Sequence, residues 1–148
     1  MKRIMINADN CKGCKNCSIA CMNAHNDNSN SLYTLNLSNS ANESRNLILR
    51  SSENKFVPLF CRHCEHPECV SSCMSGALEK DSDTGIVKYD KDKCAACFMC
   101  VMNCSYGVLK PDRATKAMVI RCDFCEQNGN EPSCVKVCRS EAIYVGEV

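Results

Sequence analysis

Tryptophan is missing from this chain of 148 residues, and there are only four phenylalanines and four tyrosines. A domain of this length normally fills much of its centre with such side chains. The apolar share is 45% with cysteine included. Without cysteine it falls to roughly a third of the chain, below the ordinary globular level. A purely organic core is therefore thin, and something else is expected to occupy the middle.

Other absences narrow the function. No window of eighteen apolar residues occurs, so a membrane-spanning helix is not expected. The opening "MKRIMINADNC" has two basic residues and only a short apolar run from Ile4 to Ile6. It resembles neither a secretory nor a twin-arginine signal, which predicts a cytoplasmic location. Thiols stay reduced there, and this argues against a disulfide scaffold. A dominant charge is also lacking: 18 basic residues face 17 acidic ones, a formal +1. That balance gives no footing for nucleic-acid binding. No nucleophile–base pair and no phosphate-cradling loop stands out, so the chain is not expected to be an enzyme with its own substrate site.

What is abundant is cysteine, with sixteen residues in four groups of four. The groups are Cys11, Cys14, Cys17 and Cys21; Cys61, Cys64, Cys69 and Cys73; Cys94, Cys97, Cys100 and Cys104; and Cys122, Cys125, Cys134 and Cys138. None is left over. Each group opens with C-x-x-C and closes with C-x-x-x-C. Groups one and three follow the run C-x2-C-x2-C-x3-C, in which three thiolates hold one [4Fe–4S] cube and the fourth ligates the other cube of a pair. A cysteine every third residue lets a loop curl round three corners. The longer final step begins a helix that aims its sulfur at a neighbour. Groups two and four have wider middle gaps but can still supply three corners. Zinc is the main alternative, giving an interaction module without a redox role. A zinc site needs four ligands, usually as two separated pairs, and the tight triple suits it poorly.

The surroundings repeat as well. "CMSGAL", "CSYGVL" and "CRSEAI" each read as a helix end, a turn and the start of a strand. Short strands are predicted at "RIMINA", "TGIVKYD", "KAMVIR" and "AIYVG". Together they suggest an α+β ferredoxin arrangement around inorganic cores. The Asn/Ser-rich "NDNSNSLYTLNLSNSANESRN" reads as a surface loop or hairpin. "NLILRSSENKFVPLF" follows with two strand-like runs. That insertion is expected to cover the cubes and to offer a docking surface. His25, His63 and His66 are expected to hydrogen-bond or pack beside the sites, since cysteine already fills the ligand count. Met22, Met74, Met99 and Met102 are expected to pack around the cubes.

"CRHCEHPECVSSC", followed by "SGALEKDSDTGIVKYDKDKCAACFMCVMNCSYG", resembles the four-cluster ferredoxin-like electron-transfer subunits of multi-subunit oxidoreductases. The opening "NCKGCKNCSIACMNAHN" is most similar to the small subunit serving anaerobic carbon monoxide dehydrogenase, the CooF type. The resemblance implies four [4Fe–4S] clusters and crossed ligation. Cys11, Cys14, Cys17 and Cys138 would hold one cube; Cys122, Cys125, Cys134 and Cys21 its neighbour. Cys61, Cys64, Cys69 and Cys104 would hold the third, and Cys94, Cys97, Cys100 and Cys73 the fourth. It further implies two nested bacterial ferredoxin-like lobes. Residues 1–25 plus 111–148 form the outer lobe, 56–110 the inner one, and 26–55 the insertion. The implied partners are a catalytic oxidoreductase, carbon monoxide dehydrogenase first, and a second redox protein such as a hydrogenase, a flavin NAD(P) oxidoreductase or ferredoxin. A hydrogenase, formate dehydrogenase or aldehyde oxidoreductase is the alternative donor.

The pattern departs from the usual run at one point. Proline commonly follows the fourth cysteine, but Met22, Met74, Ser105 and Arg139 stand there. Each restores a backbone N–H, and any that reaches a sulfur would raise a cluster's potential. Loading also changes the charge. Sixteen thiolates against four cores of about +2 contribute about −8, so the filled chain carries about −7.

Overall fold

The computed structural model describes residues 1–26 and 35–147. Residues 27–34, within the stretch expected to be a surface loop or hairpin, lie outside them. The order is β1 (Lys2–Ile6), α1 (Asn16–Ala24), β2 (Leu47–Arg50), β3 (Phe56–Leu59), α2 (Glu68–Ser71), β4 (Leu78–Lys80), β5 (Val87–Tyr89), α3 (Met99–Met102), β6 (Lys110–Pro111), β7 (Val119–Ile120), α4 (Ser133–Lys136) and β8 (Ile143–Glu147). The result is a small mixed helix–strand fold with four antiparallel strand pairs among the described residues. The expected strands appear as β1, β5, β7 and β8, and the two runs of the insertion as β2 and β3.

The two ends of the chain close on each other. β1 pairs with β8, with Lys2 opposite Glu147 and Ile6 opposite Ile143. Ile4 and Ile143 turn inward from this ribbon and are buried. Beneath it α1 packs on α4. Between the ends, α2 packs on α3 and on the β4–β5 hairpin. Two buried clusters result. One gathers Leu78, Val87, Val108, Leu109 and Val119 with Cys61 and Cys100. The other gathers Ile4, Phe60, Ile86, Phe124 and Ile143 with Cys134. Both include cysteines, so the organic cores are built directly against the sulfur sites.

Two hairpins share one turn chemistry. Between β4 and β5 the Asp81 carboxylate accepts from the N–H groups of Asp83 at 3.0 Å and Thr84 at 2.8 Å, and from the Thr84 hydroxyl at 2.9 Å. Between β6 and β7 the Asp112 carboxylate accepts from the N–H of Ala114 at 2.9 Å and the Thr115 hydroxyl at 2.6 Å. The next residue is left-handed in both: Gly85 at φ 72 and Lys116 at φ 55. This is an Asx-type turn closed by a residue that glycine suits best.

Candidate metal centre

The four C-x-x-C loops bend in the same way. The residue before the second cysteine is left-handed in each: Gly13 (φ 67), His63 (φ 44), Ala96 (φ 51) and Phe124 (φ 60). In groups one and three the inversion recurs two residues on, at Lys15 and Phe98. Three of the four first positions are not glycine, and that backbone costs of order 1 kcal/mol or more at each. The return is geometric. Alternating handedness turns successive N–H groups to one side, a nest that suits an anionic iron–sulfur cluster. The 3-10 turns Ala8–Asn10 and Lys91–Lys93 deliver Cys11 and Cys94 into their loops.

The sulfurs converge across the sequence. One cavity is lined by Cys11, Cys14, Cys17 and Cys138. A second is lined by Cys61, Cys64, Cys69 and Cys104. Burial raises the Cys100 thiol, and nearby Cys73 and Cys94 raise it further. Burial also raises Cys134, beside Cys21 and Cys125, and pushes Cys122 well up, beside Cys61 and Cys21. Thus the last cysteine of every group lies with cysteines of another group. Burial lifts Cys17 and Cys69 to about 11 each. Thiolates in such places need a cation to hold them, which iron supplies. The donor set, all sulfur, fits iron–sulfur ligation.

Exposure differs between the sets. Cys14 and Cys97 are exposed. Cys61, Cys21, Cys125 and Cys134 are buried, and Cys64, Cys69, Cys104 and Cys122 are partly covered. The insertion and β3, which directly follows it, contribute to the cover. Ile48 and Pro58 line the first cavity. The Phe56 ring lies so close over Gly13 that a Cβ there would meet it at 2.5 Å. Asn46, buried, accepts from the Ser18 hydroxyl at 2.7 Å and donates to the Cys17 carbonyl at 3.3 Å.

The sulfurs also receive hydrogen bonds, though from positions other than those expected. Arg45 N–H reaches Cys21 Sγ at 3.3 Å, and Phe124 N–H reaches Cys122 Sγ at 3.4 Å. Burial opposes ionisation of Cys73, but the Ser75 hydroxyl and the N–H groups of Leu78, Ala77 and Ser75 outweigh it and hold the thiol low. Cys138 is held low in the same manner by Ile143, Ser140 and Ala142. The donors lie two or more residues past the fourth cysteine because the turn there folds the following strand start back over the sulfur.

The histidines play supporting parts. His25 Nε2 lies 3.0 Å from Asp123, and its Nδ1 lies 2.7 Å from the Cys21 carbonyl. Burial works against a charged ring, but Asp123 and Cys21 outweigh it and lift His25 to about 10. Arg45 also pairs with Asp123. His63 Nδ1 accepts from Val87 N–H at 3.0 Å. Burial, with Arg121 nearby, lowers His63 to about 3. Three methionines differ from expectation: Met74, Met99 and Met102 are exposed, at 92%, 39% and 79%, beside α2 and on α3. Sequence reasoning missed Arg45, Arg121 and Asp123. The charges flanking Cys122 in "RCDFC" were a usable signal; nothing local marked Arg45, which arrives from the insertion.

Loops of this shape, with sulfur as the whole donor set, define an iron–sulfur protein. The chain belongs to the 4Fe-4S dicluster domain family, whose model matches residues 52–148. It is 34% identical over 146 residues to the putative oxidoreductase AegA of Escherichia coli (strain K12), covering 95% of this chain and 21% of AegA. It is 33% identical over 142 residues to the thiosulfate reductase electron transfer subunit PhsB of Salmonella typhi, covering 93% of this chain and 71% of PhsB. In three dimensions it is similar to a chain of the active site complex BamBC of benzoyl coenzyme A reductase with benzoyl-CoA. There the TM-score is 0.53 and the identity 26%, over all of this chain and 81% of that one. The chain spans 20 to 30% of the length of several curated relatives. It thus carries multiple [4Fe–4S] clusters, and PhsB, 71% of which it covers, is named an electron transfer subunit. Among the described residues no helix is long and apolar enough to cross a membrane.

Proposed function

We propose that this chain relays single electrons through four [4Fe–4S] clusters set in two nested ferredoxin-like lobes. Residues 1–25 with 111–148 make the outer lobe and 56–110 the inner one. The first cluster takes Cys11, Cys14, Cys17 and Cys138. The second takes Cys122, Cys125, Cys134 and Cys21. The third takes Cys61, Cys64, Cys69 and Cys104, and the fourth takes Cys94, Cys97, Cys100 and Cys73. The pairing of β1 with β8 and of α1 with α4 supports the outer lobe.

The observation that carries the relay is the gradient of exposure. Cys14 and Cys97, in the first and fourth sets, reach the surface, and no cysteine of the second or third set is exposed. Cys61 of the third set lies close enough to Cys122 of the second to raise its thiol. Electrons therefore enter at one surface cluster, cross two shielded ones and leave at the other. When bound, each cube would supply one-electron chemistry, and the surrounding residues would set its potential through burial and hydrogen bonds.

The electron donor is a catalytic oxidoreductase, and carbon monoxide dehydrogenase is the one the opening cysteine run favours. Relatives named for thiosulfate reductase and for the hydrogenase-2 operon support a catalytic partner of this general kind. The working compartment is the cytoplasm. Anaerobically purified protein is expected to be brown and to hold about sixteen irons per chain. A colourless chain with about four zincs would replace the relay with a zinc module. An anaerobic pull-down tests the donor: recovery of a different oxidoreductase rejects carbon monoxide dehydrogenase.

A further inference from the structure

His63 and Phe124 meet edge to face, with ring centroids 5.8 Å apart. They are 1% and 0% exposed, and each is the left-handed residue of its own C-x-x-C loop. The loops that build the second and third cluster sites therefore touch through these two rings.

Two polar atoms at this junction have no hydrogen-bond partner among the described residues. Arg121, which precedes Cys122, is only 4% exposed, and its Nη2 is buried with no hydrogen-bond partner. Among the described residues no carboxylate pairs with it. His63 accepts at Nδ1 from Val87 N–H, so its proton sits on Nε2, and Nε2 is buried without a partner as well. A guanidinium stays charged even when buried, and a buried unpaired cation is costly. A buried N–H without an acceptor is costly too.

Both groups point to the same remedy. Arg121 acts on Cys61 and Cys69, sulfurs of the third set, and sits one residue from Cys122 of the second. Arg3 and Lys80 add positive charge around His63, against Asp123. That carboxylate is already held by Arg45 and His25. The junction is thus positive, and the groups able to answer it are clusters whose four thiolates and core leave them near −2 when oxidised.

We propose that Arg121 is the shared counter-charge of the second and third clusters and that His63 Nε2–H donates to sulfur of one of them, so that these two clusters are easier to reduce than they would be without Arg121. The inference rests on the four-cluster reading above. At each hop one cube loses an electron and the other gains it. No bond forms or breaks, and no proton moves, because the guanidinium keeps its charge throughout.

The test uses the full chain, loaded anaerobically, with iron and sulfide measured before an EPR-monitored redox titration. Wild-type protein short of sixteen irons refutes the four-cluster reading itself, separately from this proposal. In Arg121→Met, two of the four reduction equilibria are expected to fall about tenfold or more, which is about 59 mV for each tenfold step in a one-electron couple. Arg121→Lys is expected to stay within about threefold of wild type, because it keeps the charge. His63→Phe, which preserves the ring contact, is expected to lower one equilibrium severalfold. An Arg121→Met protein that keeps its iron with unchanged potentials, or with the same fall at all four clusters, overturns the proposal. Should Arg121→Met lose iron while Arg121→Lys retains it, the counter-charge role is supported. Loss of iron from both shows that shape and not charge is required, and rejects it.

Discussion

The residue that decides each cysteine loop is not a cysteine. Gly13, His63, Ala96 and Phe124 hold the left-handed turn before the second thiolate of each group. Glycine is easiest there, yet only one loop uses it, and that one has the Phe56 ring pressed on it. Gly13→Ala is therefore expected to be damaging twice over, through a backbone cost of about 1–2 kcal/mol and through collision with Phe56. Thermal melting and iron content should both fall. Ala96→Gly should leave the iron intact and shift stability by under about 1 kcal/mol, since relief of strain offsets added chain freedom. The sulfurs make a second test at this scale. Cys21→Ser is expected to disrupt the cube of Cys122, Cys125 and Cys134, and Cys138→Ser the cube of the first group. EPR or Mössbauer spectra assigning Cys21 and Cys138 each to its own group would reject the crossed ligation.

At the scale of elements, strands and helices here are short, and side-chain turns do work that long ladders do elsewhere. The carboxylate of Asp112, buried at 8% exposure, closes the β6–β7 hairpin. Asp112→Ala is expected to cost about 1 kcal/mol by removing the acceptor that holds the Ala114 N–H and the Thr115 hydroxyl in the turn. Lys116→Gly should recover part of that order, about 0.5–1 kcal/mol, by freeing a left-handed position. Thermal unfolding of the loaded protein checks both. The equivalent Asp81 is only partly covered, and Lys88, paired with it at 2.6 Å, holds its carboxyl low. Its contribution is thus complete above the ordinary carboxylate range and lost only as pH falls below it. The strand starts after Cys73, Cys104 and Cys138 were legible in sequence because apolar alternation survives even in short strands. The matched turns "DSDTG" and "DRATK" were not singled out, since only three-dimensional register shows that they occupy equivalent places. The methionines were misplaced for a related reason: Met74 and Met102 look like core by composition, while the short helices beside them leave an outward face.

For the whole molecule, metal and fold are expected to be inseparable. With so few aromatics and with cysteines inside both buried clusters, removal of iron by an anaerobic chelator should abolish the cooperative thermal transition. A melting curve unchanged after complete removal of iron would contradict this. The sequence alone determined the chemistry: sixteen cysteines at steps short enough to wrap a cube specify sulfur ligation, because ligand type and loop length are local properties. Only the tertiary structure decided how these sites meet. Which loops touch, that Arg45 reaches Asp123, and that Arg121 is buried with no paired carboxylate among the described residues all depend on segments far apart in the chain coming together. No local spacing encodes such encounters; they follow from packing the closed ends of the chain against the hairpins between them.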